Sequence, residues 1–154
     1  MHLKEGDRVN NFTLQNEKGE KVTLSELTKN GKVVLLFFPL AFSSVCTDEM
    51  CQIRDNMKLY DSLNVTVAGI SADSFFTLNE FKKSNNLNFT LLSDYNKEVT
   101  RYFGCLYDDY YGMKEVPKRS AFVINVENVV EYAEVLEDSS ELPDFKAIKS
   151  AIKG

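Results

Sequence analysis

Apolar residues occur along the chain in two patterns, unbroken runs and runs with helical spacing. The unbroken runs are rich in β-branched and aromatic residues, which is typical of strands buried on both faces. They cover 32–38, 64–71 and 89–93. The other runs repeat apolar residues every three or four positions, which predicts helices. They cover 45–63, 74–86 and 96–103. The middle of the chain is therefore predicted to alternate strand and helix three times.

Further elements are predicted on either side of this alternation. They are a hairpin of 12–14 and 21–24, a short helix at 25–29, strands at 120–125 and 129–136, and an amphipathic helix at 142–153. Alternating buried strands and helices favour an α/β fold with a central mixed β-sheet, helices on both faces and an N-terminal β-hairpin extension. No repeat or Pro/Gly/Ser-rich linker divides the sequence, so one domain spanning 1–154 is predicted.

Composition and charge exclude several classes of function. The net charge of −5 is spread without long runs of one sign, and the basic cluster at 114–119 is interrupted, so nucleic acid is not an expected partner. The longest apolar run, 33–42, contains a proline and is too short to span a membrane. Residues 1–7 lack the apolar stretch of a signal peptide, so a cytoplasmic location is expected. The acidic residues at 127–141 are interpreted as a solvated surface.

The three cysteines narrow the chemistry further. An odd number of cysteines in a cytoplasmic chain does not suggest a disulfide framework. A structural zinc site needs about four Cys or His ligands, and His2 is the only histidine. No metal is therefore expected. The thiols are either inert core residues or take part in redox chemistry.

Cys46 occupies a position where thiols become reactive. Open α/β sheets place their chemistry beyond the carboxyl ends of central strands, and Cys46 follows the first buried strand in the first turn of a predicted helix. Unpaired amides and the helix dipole stabilise a thiolate there. Ser43 or Ser44 can cap the helix and hydrogen-bond the sulfur or an incoming oxygen. From position alone, a buried structural cysteine is an equally good interpretation.

The surrounding motif favours the reactive interpretation. The segment Pro39-Leu40-Ala41-Phe42-Ser43-Ser44-Val45-Cys46 resembles the Pro, Thr/Ser, Cys signature of peroxiredoxins at both spacings. The following residues 46–57 resemble the peroxiredoxin Q, or bacterioferritin-comigratory, branch, and 116–125 is similar to the family's arginine-containing segment. The resemblance runs from about Gly6 to the C-terminus, and it implies a thioredoxin-like fold.

The resemblance also implies a role for each matching residue. Cys46 would be the peroxidatic thiolate, and Arg119 would stabilise it and polarise the peroxide. Ser43 would hydrogen-bond the peroxide, and Pro39 would shield the thiolate from water. Glu49 would orient Arg119; the alternative is that it is only a favourable acid in the first turn of the helix.

Cys51 is the residue that the resemblance implies for the resolving role. It lies five residues after Cys46 on the same predicted helix, which separates the two side chains by about 7.5 Å and roughly 140°. A disulfide needs Cα atoms within about 7 Å and side chains that face each other. Closing this pair therefore requires the helix to unwind. Cys105 is interpreted as a core thiol, with a resolving role or an intersubunit bond as alternatives.

The predicted function is thiol-dependent reduction of hydrogen peroxide and organic hydroperoxides. The sulfenic acid on Cys46 would become a disulfide, and thioredoxin or a similar dithiol would recycle it. No metal, flavin or nicotinamide cofactor is expected, and the protein would be a monomer or homodimer. The main alternative is a redox-sensing interaction protein that uses the same Cys46 oxidation. A thiol-disulfide oxidoreductase is less favoured because a C-x-x-C pair is absent.

Overall fold

The structure is a computed structural model that describes all residues from 1 to 154. Its strands are β1 (Thr13–Asn16), β2 (Lys21–Thr23), β3 (Val33–Phe37), β4 (Thr66–Ser71), β5 (Thr90–Ser93), β6 (Leu106–Tyr107), β7 (Val116–Pro117), β8 (Ser120–Ile124) and β9 (Val130–Val135). Its helices are α1 (Leu24–Leu27), α2 (Ser44–Asp55), α3 (Met57–Ser62), α4 (Phe75–Ser84), α5 (Glu98–Phe103) and α6 (Phe145–Lys153).

A seven-stranded mixed sheet in the order β2-β1-β5-β4-β3-β8-β9 organises the chain. The three strands predicted from unbroken apolar runs, β3, β4 and β5, are parallel neighbours. The hairpin β1–β2 joins antiparallel to β5, and β8 and β9 extend the sheet antiparallel beyond β3. The prediction of a mixed sheet with an N-terminal hairpin is confirmed. The five residues of β3 are all buried, and the strand lies between β4 and β8 in the sheet.

The two faces of the sheet carry separate hydrophobic clusters. Alternate residues of β3 point to opposite faces, because side chains alternate along a strand. Val34 and Leu36 pack in one cluster with residues of α2, α3, α4 and α6. Val33 and Leu35 pack in the other with residues of α1 and α5. Helices therefore cover both faces, as predicted.

The helix predicted at 45–63 is two helices, and this prediction was wrong. The helical conformation is interrupted at Asn56, which lies between α2 and α3. Its backbone angles are φ −111° and ψ 9°. The Asn56 Nδ2 group donates to the Gln52 carbonyl at 2.8 Å. Asparagine side chains compete with the backbone for such hydrogen bonds and so disfavour helix interiors.

The strands β6 and β7 form a separate two-stranded sheet that the apolar pattern did not predict. Each is two residues long, which is too short to show a period of two. None of the helices has the length and apolar character that crossing a membrane requires.

Gly69 of β4 allows α2 to pack closely on the sheet. A Cβ at this position would lie 2.9 Å from Leu91 Cδ2, 3.2 Å from Phe38 and 3.3 Å from Met50 Sδ. Because these neighbours are fully buried, there is little room for them to move.

We expect Gly69→Ala to lower the free energy of unfolding by about 1–3 kcal/mol, measured by urea denaturation. The control Thr66→Ala, at an exposed position of the same strand, should change it by less than about 1 kcal/mol. Equal midpoints for the two variants would contradict this packing argument.

Candidate active site

The loop between β3 and α2 brings the predicted thiol against the sheet. Pro39 is buried just after β3, and Cys46 is the third residue of α2 and fully buried. The backbone N–H of Ala41 donates to Asp73 Oδ2 at 2.7 Å. The Ser71 hydroxyl donates to the same oxygen at 2.7 Å. The loop is thus fastened to the carboxyl end of β4, the neighbour of β3.

Ser43 occupies the N-cap position of α2 but does not cap it through its side chain. The expectation of a side-chain cap here was wrong, because the Ser43 hydroxyl donates instead to the Leu40 carbonyl at 3.0 Å. Ser44 lies within the helix and is exposed. The first amides of α2 therefore receive no side-chain acceptor, and the positive end of the helix dipole remains available to a nearby anion.

Arg119 connects the site residues that the sequence had separated. Its Nη2 donates to Cys46 Sγ at 3.2 Å, and its Nη1 donates to Glu49 Oε1 at 2.7 Å. Its Nε donates to the Ser139 carbonyl at 3.1 Å. Cys46, Glu49 and Arg119 are all fully buried. The structure therefore brings Arg119 together with Cys46 and Glu49, which were predicted from a different segment of the chain.

The position of Arg119 follows from the sheet. It directly precedes β8, which pairs with β3, so it lies beside the carboxyl end of β3. Its own carbonyl accepts the N–H of Leu136, and the preceding Lys118 N–H donates to the Cys105 carbonyl at 2.6 Å. These contacts hold the backbone on both sides of the guanidinium.

The guanidinium of Arg119 is the one cation in contact with both Cys46 and Glu49. Burial raises the pKa of Glu49 to about 7, although the charge and hydrogen bond of Arg119 oppose the shift; Glu134 adds to it. Burial lowers the pKa of Arg119, but the attraction of Glu49 and Cys46 outweighs burial and leaves that pKa above its ordinary value. Arg119 is therefore charged, and Glu49 is balanced between its two protonation states near neutral pH.

Cys51 lies on α2 as predicted and is half-buried. Its thiol donates to Asn85 Oδ1 at 3.9 Å, at the end of α4. Arg54 Nη1 donates to the Asn85 carbonyl at 2.6 Å, and Asn88 Nδ2 donates to the Arg54 carbonyl at 3.3 Å. The second half of α2 is thus tied to the end of α4, and all three cysteines are free thiols.

Cys105 packs in the cluster on the other face of the sheet from Cys46. It is fully buried, and its thiol donates to the Thr100 carbonyl at 3.7 Å. Burial raises the pKa of the Cys105 thiol to about 12, so it stays protonated at neutral pH. These surroundings favour the interpretation of Cys105 as a core thiol.

A surface pocket of about 210 Å³ opens beside the start of α2. Ser43, Val45, Tyr110, Tyr111 and Ser139 contribute to its lining. Two tyrosines that follow β6 therefore line a pocket together with residues next to Cys46 in the sequence. No group of three or more His, Cys, Asp or Glu side chains in the structure is arranged to hold a metal ion.

Two contributors to the site were missed by sequence reasoning. Asp73 follows β4 at its carboxyl end, and that position was the sequence signal for a supporting role in the site. Ser139 contributes only its backbone carbonyl and lies in the acidic segment that was interpreted as solvated surface. Nothing in its side chain could have indicated this contact.

Comparisons with a protein family, with curated sequences and with solved structures all identify the same kind of protein. Residues 6–133 match the AhpC/TSA family. The chain is 34% identical over 132 residues to peroxiredoxin Bcp of Escherichia coli strain K12, covering 84% of each protein. It is 36% identical over 132 residues to a bcp-named peroxiredoxin of Coxiella burnetii, covering 84% of this chain and 87% of the relative. The crystal structure of peroxidoxin BcpB from Mycobacterium tuberculosis has a TM-score of 0.89 and 30% identity, covering 99% of this chain and 97% of that chain. The expected thioredoxin-like fold is confirmed.

Glu49 should make stability depend on pH. Its pKa rises from an ordinary 4.5 to about 7 on folding, so the folded state binds a proton that the unfolded state releases. This stabilisation is fully present below about pH 4.5 and is lost as pH rises through about 7. The stability of the wild type relative to Glu49→Gln should therefore fall by up to about 3 kcal/mol across this range.

Urea denaturation of the reduced proteins from about pH 5 to about pH 8 measures this difference. Glu115→Gln is the matched control, because Glu115 also pairs with an arginine, at 3.2 Å from Arg101, but is exposed. The stability difference between Glu115→Gln and the wild type should stay within about 1 kcal/mol, because exposed ion pairs contribute little. If the stability difference between the wild type and Glu49→Gln stayed constant with pH, the raised pKa of Glu49 would be contradicted.

Proposed function

The chain belongs to the AhpC/TSA family of peroxiredoxins and reduces peroxides in a thiol-dependent reaction, and we propose that Cys46 is the thiol that does so. The observation that supports this most directly is the guanidinium of Arg119, which donates to Cys46 Sγ at 3.2 Å inside the protein. A cation fixed by three hydrogen bonds in a water-poor site stabilises a thiolate strongly, because no solvent screens the interaction.

The substrate would be hydrogen peroxide or an organic hydroperoxide. The Cys46 thiolate attacks the terminal peroxide oxygen, the S–O bond forms as the O–O bond breaks, and an alkoxide or hydroxide leaves. Arg119 polarises the peroxide and stabilises the charge that moves onto the departing oxygen. The pocket bordered by Ser43, Tyr110 and Tyr111 is the route by which the peroxide would reach the buried sulfur.

Ser43 and Pro39 would shape this reaction. The Ser43 hydroxyl already donates to the Leu40 carbonyl, so its oxygen is free to accept a hydrogen bond from the peroxide O–H. Pro39 is buried and has no N–H, so it adds no polar group that would draw water to the site. The hydrogen bond from the Ala41 N–H to Asp73 would hold the loop that contains Pro39 and Ser43 in place.

Cys51 would convert the sulfenic acid of Cys46 into a disulfide, with water as the other product. Both cysteines lie on the folded helix α2, whose geometry keeps their side chains apart. Resolution therefore requires α2 to unwind and requires Arg119 to release Cys46. Cys105 is a poor alternative, because it packs on the opposite face of the central sheet.

An external dithiol would complete the cycle. A thioredoxin-like protein would reduce the Cys46–Cys51 disulfide by thiol–disulfide exchange, after which α2 refolds with both thiols reduced. The peroxidase reaction would need no metal, flavin or nicotinamide in this protein. The half-buried position of Cys51 supports its accessibility to such a reductant once the helix opens.

Mass spectrometry after one equivalent of hydrogen peroxide tests this proposal. We expect the wild type to lose two hydrogens with a Cys46–Cys51 link, because the sulfenic acid condenses with the nearest thiol on the same helix. Cys51→Ser should instead gain one oxygen on Cys46, and Cys105→Ser should behave as the wild type. A Cys46–Cys105 link would overturn the resolving role of Cys51. An unoxidised Cys46 in the wild type would overturn the proposed function.

Replacing Arg119 by lysine should separate its geometry from its charge. Lysine keeps the positive charge but cannot donate to Cys46, Glu49 and Ser139 from one planar group. We expect Arg119→Lys to lower kcat/KM for hydrogen peroxide by about 100-fold or more, measured with a dithiol reductant.

Arg101→Lys is the matched control for this substitution, because Arg101 is an exposed arginine that also pairs with a glutamate. It should retain wild-type kcat/KM within about twofold, since exposed ion pairs contribute little. Comparable losses in both variants would argue against a special role for Arg119.

A further inference from the structure

We propose that Glu49 carries the proton of the peroxide-reducing step: it takes the proton that Cys46 releases and delivers it to the departing oxygen of the peroxide. This inference rests on the proposed role of Cys46 as the attacking thiolate. It extends the expectation that Glu49 only orients Arg119, because a proton carrier takes part in the chemistry itself.

The first support is the arrangement of the three side chains. Glu49 lies three residues after Cys46, so both project from the same side of α2. Both are fully buried, and one guanidinium joins them, at 3.2 Å from the sulfur and 2.7 Å from the carboxyl oxygen. A change in the charge of either acid is therefore felt by the other through Arg119.

The second support is the charge balance of the site. If Cys46 and Glu49 were both ionised, two buried anions would share the single charge of Arg119. The charge of Glu134, on β9, adds further negative potential at Glu49. An uncompensated buried charge is costly, so one proton should remain in the pair. When Cys46 is the thiolate, that proton belongs on Glu49.

The third support is an oxygen without a partner. Glu49 Oε1 accepts from Arg119, whereas Oε2 is buried and makes no hydrogen bond. Such an orphaned oxygen is unfavourable in a carboxylate. In the carboxylic acid, Oε2 carries a hydrogen that can be donated to an oxygen entering the site. The raised pKa of Glu49, about 7, agrees with this state.

The proposed step balances as follows. A proton passes from the Cys46 thiol to the Glu49 carboxylate, which gives a thiolate and a carboxylic acid. The sulfur attacks the terminal oxygen of ROOH, is oxidised by two electrons and becomes a sulfenic acid, while the O–O bond is reduced. The departing RO⁻ takes the proton from Glu49 and leaves as ROH, or as water when the substrate is hydrogen peroxide. Glu49 returns to its carboxylate form.

Glu49→Gln tests this assignment because it keeps an oxygen for Arg119 but cannot deliver a proton. Two reactions of Cys46 should respond differently. Alkylation by iodoacetamide needs a thiolate but no protonation of an oxygen, so its rate should equal or exceed that of the wild type at about pH 7. Oxidation by hydrogen peroxide, followed by stopped flow, should be about 100-fold slower. If Glu49 served only to position Arg119, both rates would fall together, and this would overturn the proposal.

The leaving group offers an independent check. Peracetic acid releases acetate, a weak base that departs without receiving a proton. The defect of Glu49→Gln should therefore shrink to less than about threefold with peracetic acid while remaining large with hydrogen peroxide. Equal defects with both oxidants would overturn the proton-carrier role. The control Glu115→Gln should match the wild type with both.

Failure of the proposed role of Glu49 can be distinguished from failure of the proposed role of Cys46. If wild-type Cys46 is oxidised by hydrogen peroxide and Glu49→Gln is oxidised as fast, the inference fails and the proposed function stands. If wild-type Cys46 does not react at all, both fail. Should Glu49→Gln not fold, the wild type alone is informative. Its rate ratio for hydrogen peroxide over peracetic acid should fall from about pH 6 to about pH 7.5 as Glu49 loses its proton, and a constant ratio would overturn the inference.

Discussion

The guanidinium of Arg119 is the constraint on which the site depends. A buried cation must be matched by acceptors around it, and each of the three donating nitrogens of Arg119 has one acceptor. Cys46 and Glu49 supply two from α2, and the Ser139 carbonyl supplies the third from the segment after β9. The helix, the start of β8 and this segment are therefore fixed relative to one another by one side chain.

The same contacts set a conflict within the proposed cycle. Attack on the peroxide needs α2 folded, since only then does Arg119 meet the sulfur of Cys46. Disulfide formation with Cys51 needs α2 unwound, since the helix holds the two thiols apart. Oxidation itself can resolve the conflict, because a neutral sulfenic acid attracts Arg119 less than a thiolate does. The absence of a side-chain cap at Ser43 also leaves the first turn less secured than the half of α2 that is tied to Asn85. In the proposed cycle, unwinding therefore begins at the end that carries Cys46.

How well sequence predicted each feature depends on where its partners lie. The strand β3 and the position of Cys46 follow from a local apolar run and the loop after it, so periodicity was sufficient. Arg119 lies 73 residues from Cys46, and only the family resemblance connected them. Asp73 and Ser139 were missed, because their contacts are to or from backbone atoms that only the folded sheet brings near. The break at Asn56 was missed because the apolar spacing continues across it.

Cys46 and Cys105 share residue type and burial, so neither property can account for the reactivity that is proposed for Cys46 alone. Both are fully buried, and burial without a compensating charge favours the neutral form, as the raised pKa of Cys105 indicates. Cys46 differs in two respects, its place at the start of α2 and the guanidinium at 3.2 Å. Glu49 follows the same logic, because burial alone would keep it neutral while Arg119 draws it toward ionisation. The site thus places one cation between the sulfur of Cys46 and the carboxyl group of Glu49, and in the proposed mechanism the single positive charge is the reason that one proton is shared by the two groups.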